Sequence, residues 1–249
     1  MRAHGNKEFW LAALRADGPA FRAAVAEAAP DAPVPSCPEW TVAQLTGHLA
    51  SIYGWVAGHV GRGVTTRPEP RSREAVTATV AEFDERFGAL VTLLDSLDPE
   101  MPAWNWAPQS KKVAFWHRRM AHETAVHRWD AQMAVGLTEP LEAKLAADGL
   151  IEVLDTWLPA GRGTCPTHRQ GMVALSAADL EQTWHIRLRP GGGVALLDTD
   201  TILDDDDLHE RAVARGTASD LQLALWGRVG FDVLTMAGDE RLIECLRVG

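Results

Sequence analysis

A polar stripe on the apolar face of one predicted helix constrains the fold of this chain more than any other sequence feature. No Gly or Pro interrupts the sequence between Ser110 and Val135, which predicts a long helix. At about 100° per residue, Glu123, His127 and Asp130 fall within a roughly 60° arc of one face, and apolar residues flank that arc on both sides. Because a carboxylate inside a helical bundle is costly unless it has a partner, this stripe predicts pairing, hydrogen bonding or metal binding.

Glu123 and His127 are suited to hold a metal ion, since side chains four residues apart on a helix converge on one point. A third ligand must come from elsewhere, and His48 is the best candidate, at the edge of the apolar face of another predicted helix. His59 on that helix would lie about 16 Å further along, too far to share the ion. Two His and one Glu with an open fourth position are typical of catalytic zinc. The open position would hold water or a thiol.

Structural roles for the same residues are open alternatives. Glu123 and His127 could be a satisfied polar pair, salt-bridged to Arg119, and His48 could be a hydrogen-bonded core histidine. We assign Asp130 to the cofactor-binding residues, as a group that orients a ligand histidine. The alternative for Asp130 is an exposed charge near the end of the helix.

Two other chemistries are less well supported. His122 and Glu123 look like the start of the H-E-x-x-H metalloprotease motif, but the next histidine is five residues on, and His122 points about 140° away from His127. Cys37 could be a nucleophile, but it lies in a proline-rich loop without an obvious histidine base, so a structural role is favoured.

Length and charge limit the class of protein. The chain has 249 residues, enough for one large domain or two small ones. Its net charge of −10 argues against nucleic acid or an anionic membrane as a partner. No apolar run approaches the ~20 residues needed to span a bilayer, and the first eight residues are too polar for a signal peptide. We therefore expect a cytoplasmic protein. The three cysteines are odd in number and far apart, so no disulfide framework is expected.

The pattern of apolar residues predicts four helices in the first 136 residues, which favours a four-helix bundle. Gly18 and Pro19 are expected to break or kink the first helix. Thr41 and Ser72 are the expected N-caps of the second and third helices. The predicted ranges are 7–29, 41–60, 72–97 and 110–136, with a loop at 30–40.

The remaining residues predict a small α+β domain, with the domain boundary near 137–140. One helix is expected first, and it is followed by short strands, with Ser219 as the cap of a later helix. The acidic run 204–207 is expected to be a solvated turn rather than a Ca²⁺ site. The predicted helices are 140–158, 220–228 and 240–246, and the predicted strands are 172–176, 183–189, 194–198, 211–215 and 232–236, with a turn at 190–193.

Three motifs resemble the mycothiol-dependent maleylpyruvate isomerase family of actinobacteria. They are CPEWTVAQLTGHL (37–49), RRMAHETAVHRWDA (118–131) and GTASDLQLALWGR (216–228). The resemblance implies a DinB-like four-helix bundle over 1–137, followed by a small α+β sterol-carrier-like domain over 138–249. Family members bind zinc through a His that follows a C-P-x-W loop and through the Glu and second His of an H-E-x-x-x-H helix. Those positions are His48, Glu123 and His127 in this sequence.

The resemblance also implies a reaction. The expected cofactors are zinc, or another divalent metal, and mycothiol as the thiol cosubstrate. Zinc would lower the pKa of the thiol, and the thiolate would attack an electrophilic carbon of a small substrate. An Arg of the C-terminal domain is implicated in the family, and Arg228 is the nearest match, to hold a carboxylate or stabilise an oxyanion. The outcome is isomerisation if the adduct rotates and expels the thiol, or thiol transfer if the adduct remains.

The resemblance further implies a site between the two domains, in a monomer or homodimer. Two alternatives come from other classes of protein. One is a metal-dependent hydrolase that uses zinc-bound water, and the other is a non-catalytic protein that binds a metal or a small molecule.

Overall fold

A computed structural model of the chain describes residues 5–72, 74, 76–163, 165–166, 169–189, 193–197 and 211–248. The chain divides into two compact units, one from Gly5 to Glu139 and one that begins at Pro140. The first unit is built from helices and the second contains a sheet, so the predicted α+β class is confirmed. Every helix within the described residues is too short or too polar to cross a membrane.

The described residues of the first unit form four helices, as predicted. Their buried faces enclose one apolar core, in which Leu14, Leu45, Leu90 and Met120 are almost fully buried. A short antiparallel hairpin, β1 and β2, occupies the region predicted as a loop. The elements are α1 (Lys7–Glu27), β1 (Pro33–Val34), β2 (Cys37–Thr41), α2 (Val42–Val60), α3 (Val80–Ser96) and α4 (Val113–Met133).

Helix α4 is buried on nearly all sides, and several of its polar side chains are paired inside the bundle. Arg128 donates to the carboxylate of Asp17 at 3.0 Å. The hydroxyl groups of Thr124 and Tyr53 lie 2.6 Å apart. These contacts explain why polar residues occur around much of the helix rather than on one solvated side.

Of the expected break or kink at Gly18 and Pro19, the break was wrong, because α1 continues through both residues. Proline removes one backbone hydrogen bond from a helix interior, but burial of Phe21 and other apolar side chains of α1 stabilises the continuous helix. Gly18 has a packing role instead, since a Cβ atom there would lie 2.1 Å from the ring of Phe87 on α3.

The capping prediction was confirmed for α2 and wrong for α3. Thr41 accepts a hydrogen bond from the backbone of Gln44, whose side chain accepts from the backbone of Thr41, which completes a capping box. The N-cap of α3 is not Ser72 but Thr79, seven residues later, which forms the same reciprocal pair with Glu82. The apolar periodicity of 76–97 did not distinguish the helix from the extended segment that precedes it.

The described residues of the second unit contain five strands in one sheet, in the order β5-β4-β3-β6-β7. Strands β3 and β6 pair in parallel, and the other neighbours are antiparallel. A single π-helical turn, Val153–Trp157, extends α5. The elements are α5 (Ala143–Glu152), β3 (Gly171–Ala177), β4 (Gln182–Arg189), β5 (Gly193–Leu197), β6 (Arg211–Gly216), α6 (Ala218–Leu225), β7 (Thr235–Gly238) and α7 (Glu240–Glu244).

Two local predictions in this unit were wrong. The N-cap of α6 is Thr217, which accepts from the backbone of Asp220, whereas the hydroxyl of Ser219 accepts from the backbone of Leu141. The last strand begins at Thr235 rather than at 232, because a 3-10 turn occupies 231–233. The acidic run 204–207 and most of the turn 190–193 lie outside the described residues.

A disulfide joins Cys165 to Cys245, 80 residues later, although no disulfide was expected from the sequence. The two cysteines are far apart in the sequence, so their spacing did not indicate a pair. The fold of the second unit brings them together. Cys37 is a free cysteine in the first unit.

Candidate metal centre

Helices α2 and α4 bring His48, Glu123 and His127 together inside the bundle. The ligand atoms of these three side chains all lie within 4.8 Å of one another. Oε1 of Glu123 lies 3.1 Å from Nε2 of His48 and 3.4 Å from Nε2 of His127. Glu123 and His127 are one turn apart on α4, whereas His48 reaches them from α2, 75 residues before Glu123. Among the described residues, this is the only group of three His, Cys, Asp or Glu side chains so arranged.

The donor atoms suit a divalent metal of the zinc type, since two imidazoles and one carboxylate face a common point. The second oxygen of Glu123, Oε2, accepts a hydrogen bond from Nη2 of Arg119 at 3.1 Å. Glu123 would therefore offer a metal one oxygen, Oε1, while Arg119 holds the other. The same contact is the salt bridge expected if Glu123 and His127 were a satisfied polar pair, so the carboxylate has partners in either case.

Asp130 lies behind His127 and has no exposed surface, so its interpretation as an exposed charge was wrong. Its Oδ2 lies 2.8 Å from Nδ1 of His127, and its Oδ1 accepts a hydrogen bond from Oγ of Ser36 at 2.6 Å. An ionised Asp130 only accepts hydrogen bonds. With Asp130 ionised, Nδ1 of His127 is the donor in this hydrogen bond, and Nε2 lies on the side of Glu123. Sγ of Cys37 is 3.8 Å from the same carboxylate.

Burial and hydrogen bonding act in opposite directions on the three converging groups. Burial lowers the pKa of His48, in spite of its hydrogen bond with Glu123. Burial opposes ionisation of Glu123, but the hydrogen bonds from His127 and His48 and the charge of Arg119 hold its pKa well below the usual range. Burial also opposes protonation of His127, but its hydrogen bonds with Asp130 and Glu123 raise its pKa. The cluster is therefore an anionic carboxylate between two imidazoles of different basicity.

Trp40 covers the two imidazoles. Its ring centroid lies 4.7 Å from that of His48 and 6.0 Å from that of His127. Trp40 directly precedes Thr41, the N-cap of α2. The capping box therefore fixes the backbone next to the indole. The cover is partial, since His48 and Glu123 keep 21% and 14% of their side-chain surface exposed.

The predicted catalytic residue, Arg228, belongs to the second unit. It follows α6 and is partly buried, and its Nη1 donates to the backbone oxygen of Trp226 at 2.9 Å. Ser36 was not among the predicted site residues. The sequence signal for it was that it directly precedes the C-P-x-W motif.

Two family models match the chain. The model described as the mycothiol maleylpyruvate isomerase N-terminal domain matches residues 11–132, and the model described as the MDMPI C-terminal domain matches residues 144–244. No curated protein matches the chain.

Two solved structures share the fold. They are the crystal structure of the mycothiol-dependent maleylpyruvate isomerase, with a TM-score of 0.64, and that of a mutant with a histidine replaced by alanine, with a TM-score of 0.63. Each is 12% identical in sequence, and each alignment covers 93% of this chain and 92% of the other. Since the family models together span most of the helical unit and most of the sheet-containing unit, this chain belongs to the mycothiol-dependent maleylpyruvate isomerase family of enzymes.

Proposed function

We propose that this chain is a zinc-dependent isomerase or thiol transferase that uses mycothiol and acts on a small electrophilic substrate. The convergence of His48, Glu123 and His127 in a member of this family carries the proposal. Two imidazoles and one carboxylate leave a fourth position for an exchangeable ligand, as catalytic zinc requires.

Each side chain of the cluster has a distinct role in the proposal. His48 and His127 bind the metal through Nε2, and Glu123 binds it through Oε1. Asp130 acts through His127, because its hydrogen bond to Nδ1 holds the imidazole in one tautomer and one orientation. Arg119 donates to Oε2 of Glu123, which would leave Oε1 as the oxygen for a metal. Zinc bound there would lower the pKa of a thiol and keep it as a thiolate at neutral pH.

Arg228 is proposed to stabilise the negative charge that the reaction generates. When the thiolate forms a C–S bond to a conjugated carbon of the substrate, the π electrons move onto a carbonyl oxygen, where a guanidinium can hold them. Rotation about the resulting single bond and loss of the same thiolate restore the double bond, so isomerisation needs no oxidant and no net proton. Proton uptake by the adduct instead completes thiol transfer.

The first test is the metal content of protein purified without an affinity metal. We expect about one zinc per chain in the wild type, as for a single catalytic site, and its loss in both His48→Ala and His127→Ala. His185→Ala is the matched control, because His185 lies on β4 in the second unit, and it should keep the metal. A folded wild type that contains no zinc and takes up none on reconstitution would contradict the proposal.

The second test is the dependence of turnover on the thiol. With mycothiol and maleylpyruvate, the substrate in the name of the family, we expect either a geometric isomer with the thiol recovered or a stable thiol adduct. Nuclear magnetic resonance of the product distinguishes the two. Turnover of the substrate without any thiol would favour a metal-dependent hydrolase and contradict the proposal.

The cytoplasmic location and the monomeric or homodimeric state stay predictions from the sequence. The disulfide between Cys165 and Cys245 bears on the location, because cytoplasmic thiols are usually kept reduced. Titration of free thiols in protein from its native host, together with sedimentation of the purified protein, tests both predictions.

A further inference from the structure

A covalent link and an ionic link fasten the segment that follows the π-helical turn to the two ends of α7. Cys245, the C-cap of α7, forms the disulfide with Cys165. Asp239 is the N-cap of the same helix, and its Oδ2 lies 3.2 Å from Nη1 of Arg169. Because the two links lie at opposite ends of the helix, breaking the disulfide leaves the ion pair in place.

The two sulfur atoms of this disulfide differ in their access to solvent. Cys245 is only 2% exposed and lies beside Leu242 and Leu246, which are fully buried. Cys165 is partly buried, and its neighbour Pro166 is exposed. Since access decides which sulfur of a disulfide a dissolved thiolate attacks, the thiolate reaches Sγ of Cys165 rather than Sγ of Cys245.

Contacts other than the disulfide hold α7 on the rest of the second unit. Leu242, Ile243 and Leu246 have no exposed surface. The backbone N–H of Val248 donates to the oxygen of Leu225, the last residue of α6, at 2.9 Å. Burial of these apolar side chains and this hydrogen bond remain when the disulfide opens. Opening is therefore a local event that does not require the unit to unfold.

The reagent for such an opening follows from the family. The family is mycothiol-dependent, so a low-molecular-weight thiol is available to this disulfide. In the cytoplasm, the location expected from the sequence, disulfides are usually transient, catalytic or redox-sensing. The third cysteine of the chain, Cys37, lies in the first unit, so Cys165 and Cys245 are the only cysteines of the second unit.

We propose that the disulfide is a modification site, at which a low-molecular-weight thiol of the mycothiol type forms a mixed disulfide with Cys165. The sulfur of the attacking thiolate bonds to Sγ of Cys165, and the bond between the two cysteines breaks. Its electron pair leaves on Sγ of Cys245, which takes up the proton that the thiol has lost. Attack by the Cys245 thiolate on the mixed disulfide reverses the step, so the exchange needs no oxidant. This inference goes beyond the proposed function, because it does not use the candidate metal centre.

The test is incubation of the oxidised full-length protein with mycothiol, stopped at intervals with N-ethylmaleimide at mildly acidic pH. Peptide mapping by mass spectrometry locates both groups. We expect a first product with the thiol on Cys165 and the maleimide on Cys245, and at least about 10-fold more thiol adduct on Cys165 than on Cys245. In protein unfolded by urea, both sulfur atoms are accessible, and the two adducts should form in similar amounts.

Two variants serve as controls. Cys165→Ser has no disulfide to open, so reduced mycothiol should add nothing to its Cys245. His48→Ala lacks a predicted metal ligand in the first unit and should be modified at the same rate as the wild type. Turnover that needs no thiol, together with unchanged exchange at Cys165, would contradict the proposed function and leave this inference intact.

Four results would overturn the inference. Two concern the disulfide, namely a wild type whose Cys165 and Cys245 thiols do not pair on mild oxidation, and a disulfide that mycothiol opens only in urea. The other two concern the site of reaction. They are a thiol adduct mainly on Cys245 in the folded protein, and loss of the exchange in His48→Ala, which would make the metal centre the source of the attacking thiolate.

Discussion

Nδ1 of His127 lies 2.8 Å from Oδ2 of Asp130, three residues further along α4. The other oxygen of Asp130 is held by Ser36, which lies between the strands of the hairpin that precedes α2. The imidazole is therefore fixed from behind by a buried carboxylate that is itself fixed by a separate segment of the first unit. This arrangement keeps Nε2 of His127 directed at Glu123.

We expect Asp130→Asn to weaken zinc binding by about 10- to 100-fold, because the neutral amide orients His127 less strongly and lowers its basicity. Competition with a chromophoric chelator measures the affinity. Asp84→Asn is the control, since Asp84 forms an exposed ion pair with Arg22 on the bundle surface. Equal zinc affinity in the wild type and Asp130→Asn would show that Asp130 does not position the ligand.

Two glycines in helices should respond in opposite ways to the same substitution. Gly18→Ala should lower the free energy of unfolding by about 1–3 kcal/mol, because the new methyl group would meet the ring of Phe87 in a packed core. Gly88→Ala should raise it by about 0.5–1 kcal/mol, since no atom lies within 4 Å of the new Cβ and alanine favours the helix. Urea denaturation measures both. Stabilisation by Gly18→Ala would contradict the close packing of α1 against α3.

The position of the α3 cap can be tested with two residues. Thr79→Ala should lower the free energy of unfolding by about 1 kcal/mol, because the backbone N–H of Glu82 loses its acceptor. Ser72→Ala should lower it by only a few tenths of a kcal/mol, since Ser72 is exposed and accepts a single hydrogen bond, from the backbone of Glu74. If Ser72→Ala is the more destabilising variant, the helix begins where the sequence analysis placed it.

The stability of the protein should decrease in acid partly because of His117. Burial lowers the pKa of this imidazole below its ordinary value of 6.5, and its hydrogen bond to the backbone oxygen of Leu94 only partly opposes the shift, in the presence of the charges of Lys7, Glu8 and Asp95. The folded protein thus binds this proton less readily than the unfolded chain. The contribution of His117 is complete above pH 6.5 and decreases as the pH falls below that value.

We expect His117→Gln to remove this contribution, since the glutamine amide can donate to the Leu94 oxygen and does not titrate. The free energy of unfolding, measured from pH 7.5 to 5, should fall less steeply in the variant. The difference between the two slopes corresponds to at most one bound proton per molecule. Parallel profiles for the wild type and the variant would contradict the prediction. The other titrating groups are shared by the two proteins and cancel in the difference.

Local patterns predicted those parts of the fold that depend on local chemistry. The absence of Gly and Pro around Glu123 and His127 predicted α4, and Thr41 with Gln44 predicted the start of α2. The same reasoning failed at Ser72 and at Gly18, where a better cap further along the chain and tertiary packing decided the outcome. Propensity is a weak signal, and the tertiary context or a better cap nearby overrides it at such positions.

The sequence by itself determined the α+β class, the one-turn spacing of Glu123 and His127 and the motifs that mark the family, because helical periodicity and short motifs are local properties. Only the tertiary structure decided that Asp130 is buried behind His127, that Ser36 holds it, that Arg71 lies against Ser51, and that Cys165 meets Cys245. The i, i+3 contact of Asp130 with His127 lies within α4, whereas the other contacts join segments separated by 20 to 94 residues. For the distant ones, helix packing and loop paths fix the geometry, and no local pattern encodes which residue of one segment will face which residue of another.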